Sequence, residues 1–346
     1  EAAEAVEEAE DRKAPAQFSW TQRSEAVDMD VRADQKRDEA MAKLKILLPT
    51  ISEGPQKAEL IFRLSEMYWA KAKYLHLSAM RKWDDALEKW HAGGNRGAQP
   101  KLEQFAEADN SDTHKREALK LYDLLLDKYP HYERKDEVLY NLGSSLYESG
   151  DKKKGVEMYW TLIKQFPKSG YTADAWLQLG EHFFNANKLT QAIKAYQEAA
   201  ETKKPRIYSY ALYKLAWCDY NLQEYGNALQ KFRGVIEYAK KQKAGLDVAA
   251  GDLAQRDKIQ LLEEALSDMV RVYSHLDAVD DAFEFYTEEM GRDKAYRYIY
   301  KLAKLYNQEG KHALEVKSYE RLNQEYPYAP EAPQNHTAIM NAYAQL

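Results

Sequence analysis

The 346-residue chain contains one cysteine, Cys218, so no internal disulfide can staple it. That thiol reads as a small buried hydrophobe, with a reactive group as the alternative. Glycine and proline are scarce, at 15 and 10 residues, which is too little turn punctuation for a many-stranded β protein. Neither sign of charge dominates: 50 basic against 56 acidic residues leave a net charge of −6. Such a balance gives no strong field for holding phosphate backbones, and it disfavours general nucleic-acid binding. No run approaches the roughly 20 apolar residues of a membrane span. Residues 1–12 lack the charged-then-apolar pattern of a signal peptide, so the chain reads as soluble as given, and would read the same after removal of such a segment. Phosphate loops, dinucleotide-binding glycine patterns, H-E-x-x-H zinc pairs, G-x-S-x-G elbows and paired cysteine ligands do not occur. The eight histidines are scattered without metal spacing, and Asp109-Asn110-Ser111-Asp112 lacks the alternating acids and glycine of a calcium loop. No catalytic residue, metal or cofactor is expected.

What the chain does have is 45% apolar residues and 26 tyrosines, arranged on a fixed ruler. A small or apolar residue follows a large apolar one at Leu142-Gly143, Leu179-Gly180, Leu215-Ala216, Met269-Val270 and Leu302-Ala303, with gaps of 37, 36, 54 and 33 residues. Seven residues beyond each lies Gly150, Asn187, Gln223, Asp277 or Gly310, where a first helix would end. Twelve residues beyond the small position come Gly155, Ala192, Ala228, Ala282 and Glu315. Four later stand Tyr159, Tyr196, Phe232, Tyr286 and Tyr319, and three later again Leu162, Ala199, Val235, Glu289 and Leu322. That i, i+4, i+7 register is one face of a second helix. Glu289 and Glu315 depart from it. Proline closes several units, at Tyr129-Pro130, Phe166-Pro167, Lys204-Pro205 and Tyr326-Pro327. Each unit is therefore a helical hairpin. The small residue is expected at a close helix crossing, and the aromatic residue in the gap between neighbouring hairpins.

A period of about 34 with W-x2-L-G, a later Ala, an aromatic and a final Pro resembles the tetratricopeptide repeat. Trp176, Leu179, Gly180, Phe183, Ala192, Tyr196, Ala199 and Pro205 match it best. Ala118, Tyr122, Leu125 and Pro130 repeat the second-helix pattern upstream; Leu60, Leu64, Ser65 and Tyr68 repeat the first-helix pattern, and Ala40, Leu44 and Leu47 suggest a further second helix. The resemblance implies an all-α, right-handed superhelical solenoid of helix-turn-helix hairpins, about seven of them, over residues 31–346. Residues 1–30 are charged, Ala-rich and without a repeat, and are expected to be disordered or loosely helical. Two insertions interrupt the ruler. Residues 83–115 hold the breaker run Gly93-Gly94-Asn95-Arg96-Gly97 and Pro100, read as a projecting loop between two extended helices, either a contact site or mere decoration. The second, near 240–257, is polar and lengthens a hairpin. Ile339, Tyr343 and Leu346 fall on one face of a last helix, which caps the array or belongs to a further repeat.

With enzyme templates absent, surface recognition remains. In a stacked array the first helices line the inner face, and the ruler then places Phe62, Glu66 and Trp69; Glu137, Tyr140 and Tyr147; Asp174, Glu181 and Phe184; Tyr210, Tyr213, Trp217 and Tyr220; Arg271 and His275; and Arg297, Tyr300, Lys301 and Lys304 there. This face is aromatic throughout, acidic early and basic late. Large rigid aromatic rings are good anchors for a partner segment, but rings at these positions can equally serve to pack hairpins, and the charge gradient can equally be a solvated face. The Lys and Asn pair with which some members of the family grip a C-terminal carboxylate is replaced by Tyr140 and Ser144, Leu177 and Glu181, and Tyr213 and Trp217, so that clamp is not expected.

The closures Leu126-Asp127-Lys128-Tyr129-Pro130 and Ile163-Lys164-Gln165-Phe166-Pro167, followed by Tyr171 and Ala173, resemble the bacterial envelope branch of the family, which includes BamD and CpoB. The length of the array and Leu212-Tyr213-Lys214-Leu215-Ala216-Trp217 also look like the larger tetratricopeptide proteins of gliding-motility machines. This resemblance implies a noncatalytic scaffold for protein partners in an envelope complex, either free in the periplasm or held at the outer membrane through an anchor or partner, with the cytoplasm as the other location. The alternative is the regulatory part of a larger envelope enzyme or kinase.

Overall fold

A computed structural model describes residues 20–105, 110–244 and 253–346. Among the described residues there are fourteen α-helices and no strand, the all-α helical repeat that the ruler implies. The chain divides into two compact units, Glu1–Leu162 and Ile163–Leu346.

The first unit holds α1 (Trp20–Leu47), α2 (Pro55–Ala92), α3 (Ser111–Lys128), α4 (Lys135–Glu148) and most of α5 (Lys152–Gln165). Helix α2 starts with proline in its first turn, where the missing N–H costs nothing. It packs on both α1 and α3, so its buried stripe is wide: Ala58, Ile61, Phe62, Leu64, Ser65, Tyr68, Lys71 and Ala72. The N-terminal expectation meets the structure only from Trp20 onward, where α1 runs unbroken to Leu47; residues 1–19 lie outside the described residues. In the first insertion only one helix is extended. Helix α2 runs 38 residues to the breaker run, whereas α3 begins at Ser111, because Asn110 Oδ1 accepts the Thr113 N–H at 3.0 Å and caps it there. The connecting segment folds back on α2 through two indole donors, Trp83 to the Pro100 carbonyl at 2.9 Å and Trp90 to the Gly97 carbonyl at 3.3 Å.

The second unit contains the hairpins α6 (Thr172–Asn185) with α7 (Leu189–Glu201), α8 (Pro205–Asn221) with α9 (Tyr225–Ala244), α10 (Leu253–Leu276) with α11 (Val279–Met290), and α12 (Arg292–Gln308) with α13 (His312–Glu325), followed by α14 (Ala332–Tyr343). Residues 245–252, most of the second insertion, lie outside the described residues. Within this unit the first helices touch one another in sequence, α6 on α8, α8 on α10 and α10 on α12. They therefore share a face.

The turn positions read from the ruler all have positive φ: Gly150 97°, Asn187 55°, Gln223 63°, Asp277 54° and Gly310 70°. After α6 the left-handed Asn187 lets its own N–H reach the Phe184 carbonyl at 2.9 Å and the Lys188 N–H reach that of Phe183 at 2.8 Å. Two otherwise orphaned helix-end carbonyls are thus satisfied. The same pair of bonds recurs after α8 and α12.

The small positions are close crossings. A Cβ placed on Gly180 would lie 2.5 Å from Tyr196 Cε1, and one on Gly143 would lie 2.9 Å from Tyr159 Cε1. Each ring therefore lies over the small residue of its own hairpin, and Tyr196 also joins one buried cluster with Ile207, Ala211, Leu215 and Cys218 of the next hairpin. Tyr286 serves both: it meets Tyr273 at 5.9 Å in its own hairpin and stacks on Tyr298 of the next at 4.6 Å. Every fully buried ring of this kind stabilises the array by about 1.5–3 kcal/mol. The departure at Glu315 is also compensated locally. Only 1% exposed, its carboxylate accepts from Asn307 Nδ2 at 2.9 Å and faces His312 Nδ1 at 3.1 Å. The other departure, Glu289, pairs with Lys240.

Candidate docking surface

In the first unit the inner positions divide. Phe62 is 0% exposed; its ring meets Tyr122 at 6.3 Å and Tyr132 at 6.1 Å, and the Arg134 guanidinium stands 4.5 Å from its centroid. Phe62 is a core residue and not an accessible groove residue, because Tyr122 on α3 and Tyr132 and Arg134 beyond it close over the ring. Trp69, Tyr140 and Tyr147 are half-buried. Tyr140 lies 5.9 Å from Tyr159, while Lys73 and Lys152 stand over Trp69 and Tyr147 at 5.7 and 5.5 Å. Beside them sits a polar cluster in which Glu66 and Glu137 of the inner face meet residues that the repeat pattern does not place. Glu59 accepts from Tyr132 Oη at 2.6 Å, Arg63 at 2.8 Å and Arg134 at 3.1 Å. Glu66 accepts from Asn141 at 3.1 Å, and its carboxyl is held above the usual range by burial and then by the neighbouring Glu137. On the far side of α2 the buried Lys71 Nζ bonds Asp34 at 2.6 Å and Asp38 at 2.8 Å, tying α2 to α1.

In the second unit Glu181 on α6 accepts from Tyr196 Oη at 2.6 Å and pairs with Lys214 at 3.2 Å, and the same ammonium lies 4.1 Å from the Phe184 ring. Helix α8 then presents Tyr210, Tyr213, Trp217 and Tyr220 along one face, all half-buried. Burial and the Glu181 charge push the Tyr210 phenol up to about 12. Trp217 meets Tyr220 at 5.2 Å and Phe232 at 5.9 Å, edge to face in both cases. Tyr213 donates to Asp268 on α10 at 2.7 Å, and Tyr220 Oη lies 3.0 Å from His275 Nε2. His275 itself stacks flat on Tyr225, at 4.3 Å with planes 7° apart. Asp268 is raised by burial, against the lowering effect of the Tyr213 hydrogen bond. On α12, Tyr300 is half-buried against Tyr319 at 5.9 Å, and Arg297 and Lys304 are exposed, Lys304 standing 5.1 Å over Tyr300.

The structure thus brings Glu181 and Phe184 to the α8 aromatics, aligns Tyr210, Tyr213, Trp217 and Tyr220, and places Arg297, Tyr300 and Lys304 on α12. It removes Phe62 from any surface. Sequence reading missed Asp268, though its place three residues before Arg271 marks the flank of the inner face. It also missed the clusters at Glu59 and Lys71, whose partners lie more than thirty residues away in the chain. Chemically, the surface offers rings, hydrogen-bonding groups and charges, and among the described residues no nucleophile and base converge on it. The Cys218 thiol is buried and pushed up to about 12 by that burial, so it stays protonated.

Comparison with known proteins agrees with this geometry. Tetratricopeptide-repeat family models match residues 140–207 and 177–244, and another matches 298–327. No curated protein matches the chain. Among solved structures, it is similar to BtubC (BKLC) from P. vanneervenii, with 15% identity over 78% of this chain and 90% of the other at a TM-score of 0.48. A tetratricopeptide repeat protein from Parabacteroides merdae gives 17% identity, 77% and 88% coverage and a TM-score of 0.36. The C-terminal part of a TPR repeat-containing protein from Cytophaga hutchinsonii gives 15%, 90% and 98%, and 0.41. Likenesses at such scores carry no functional argument. Residues 140–244, where the family models coincide with the close crossings and left-handed turns, and residues 298–327 match the tetratricopeptide repeat.

Proposed function

We propose that this protein is a noncatalytic scaffold that holds a segment of a protein partner on the face formed by its first helices. Tetratricopeptide repeats generally mediate protein–protein interaction, and the observation that carries the reading to this chain is the α8–α10–α12 face. Half-buried rings at Tyr213, Trp217, Tyr220 and Tyr300 alternate there with exposed charges. Rings fixed by edge-to-face contacts and hydrogen bonds lose little entropy on binding, which suits them to anchor a partner. We further propose a bacterial cell-envelope complex as the setting, with a periplasmic location and a gliding-motility machine as one such complex. The Tyr-Pro and Phe-Pro closures after α3 and α5 support that assignment.

A photo-crosslinking amino acid introduced in the native cell at Lys304 on the inner face, or at Lys317 on the outer face of α13, tests the scaffold reading. A defined protein adduct is expected from position 304 and not from 317. Equal adducts from both, or none from 304, would contradict it. Fractionation of the same cells tests the location, with the envelope fraction the expected one.

A further inference from the structure

Helix α1 is attached to α2 by two kinds of contact, and they sort by position along the helix. Toward the turn that links the two helices the contact is apolar. Met41 is buried, Leu44 and Leu48 pack on the cluster that holds Ile61, Leu64 and Tyr68, and Lys45 stands 5.0 Å over the Tyr68 ring. Over residues 29–38 the contact is ionic. Lys71 Nζ lies 2.6 Å from Asp34 and 2.8 Å from Asp38, and Arg81 lies 3.2 Å from Asp30. Arg37 pairs with Asp34 at 2.5 Å from within α1. Among the described side chains of this stretch only Asp34 is buried, whereas Met29, Val31 and Ala33 are exposed. Lys71, only 7% exposed, stands in the buried stripe of α2 between Tyr68 and Ala72.

A buried ion pair contributes little net attraction, because each charge gives up its water to enter it and recovers that water on leaving. Apolar contact has no such return. Segments with few buried apolar groups open locally while the rest of a fold stays intact. We propose that residues 29–38 of α1 are a releasable strap, latched on Lys71 and hinged at Met41, which opens while the rest of the first unit remains folded. The closed seam is balanced in charge, with Asp30, Asp34 and Asp38 set against Arg37, Lys71 and Arg81. Opening parts Lys71 and Arg81 from all three carboxylates, so the same movement turns a neutral seam into a cationic flank of α2. Lys71 is the latch because it holds two of the three. Its removal leaves Asp34 buried with Arg37 as the remaining counter-charge, a cost that detachment relieves. Most helical stability in proteins comes from packing, so a detached strap frays and its amides meet water. The opposed reading is a static pin that fixes the register of α1 on α2, in which case α1, α2 and α3 open together.

Hydrogen exchange read by mass spectrometry on the full chain tests the strap. In the wild type, amides of residues 29–38 are expected to exchange at least about tenfold faster than those in the middle of α3. Lys71→Ala should raise exchange in residues 29–38 by about a further tenfold while α3 and α4 stay within about twofold of the wild type. If Lys71→Ala unfolds the first unit, Asp38→Asn serves in its place. It removes only the half-exposed carboxylate of the latch, and should raise exchange in residues 29–38 about threefold with α3 unchanged. Three results would overturn the strap: residues 29–38 as well protected as α3 in the wild type, no rise in those residues in either variant, or a rise of equal size across α1, α2 and α3 in a variant that remains folded.

Discussion

Helices α8 and α12 occupy equivalent places in repeats two apart, yet their inner faces are used differently. On α8 the inner positions are aromatic and already engaged: Tyr213 with Asp268, Tyr220 with His275, Trp217 with Phe232 and Tyr220. On α12 the same positions carry Arg297, Tyr300 and Lys304, with both cations exposed. The repeat architecture is maintained by the opposite stripe of each helix, so the inner positions are released from the demand of packing. On α8 they have been partly spent on joining one hairpin to the next, whereas on α12 they remain facing solvent. Inner-face residues are thus divided between cohesion and recognition, and position in the ruler alone does not say which.

The contrast is sharpest in stability. Trp217→Ala removes a half-buried ring that meets three others, and should cost about 2–3 kcal/mol, less than the roughly 3–5 of a fully buried ring. Lys304→Ala should stay within about 0.5 kcal/mol. Urea unfolding of both variants checks this, and equal effects would break the division. Next in size is Gly180→Ala. The new methyl would stand 2.5 Å from a Tyr196 ring that is held by its hydroxyl on Glu181. Overpacking of about 1–3 kcal/mol should outweigh the helix-propensity gain of about 1, and the loss should exceed that of Gly143→Ala, where the gap is 2.9 Å. A stabilised Gly180→Ala would show that the crossing is looser than described.

These tests also show what was legible in the sequence. Gly180 with Tyr196 and the left-handed Asn187 could be read because each requirement is local: one hairpin, one small residue, one ring, one turn. Phe62 could not be placed, since its burial depends on Tyr122, Tyr132 and Arg134, all distant from it in the chain, closing over its ring. Lys71 with Asp34 and Asp38, and Glu59 with Arg134, escaped for a related reason. Ion pairs between distant segments leave no periodic trace. On the inner face the residue types were legible and their engagement was not. Asp268, which satisfies Tyr213, belongs to the next repeat across the second insertion.

A smaller effect is expected at that contact. Tyr213→Phe removes the hydroxyl donor from Asp268 and should cost about 1 kcal/mol, read by thermal unfolding. The smallest is a pH dependence. Burial holds the Asp268 pKa above its ordinary value of 3.8, so between that value and the raised one the folded chain binds more protons than the unfolded one. The contribution of Asp268 to stability is therefore present in full below pH 3.8 and is lost as pH rises through the raised pKa. Asp268→Asn should flatten that part of the stability profile, and an unchanged slope would assign it to other carboxyls such as Glu66, which is raised by the same cause.

The most direct test of the account is backbone hydrogen exchange of the whole chain with and without the partner captured by crosslinking at position 304. Added protection is predicted in α8, α10 and α12, with α7, α9, α11 and α13 unaltered. Protection centred on those second helices, or spread evenly over both sets, would contradict a docking face formed by the first helices.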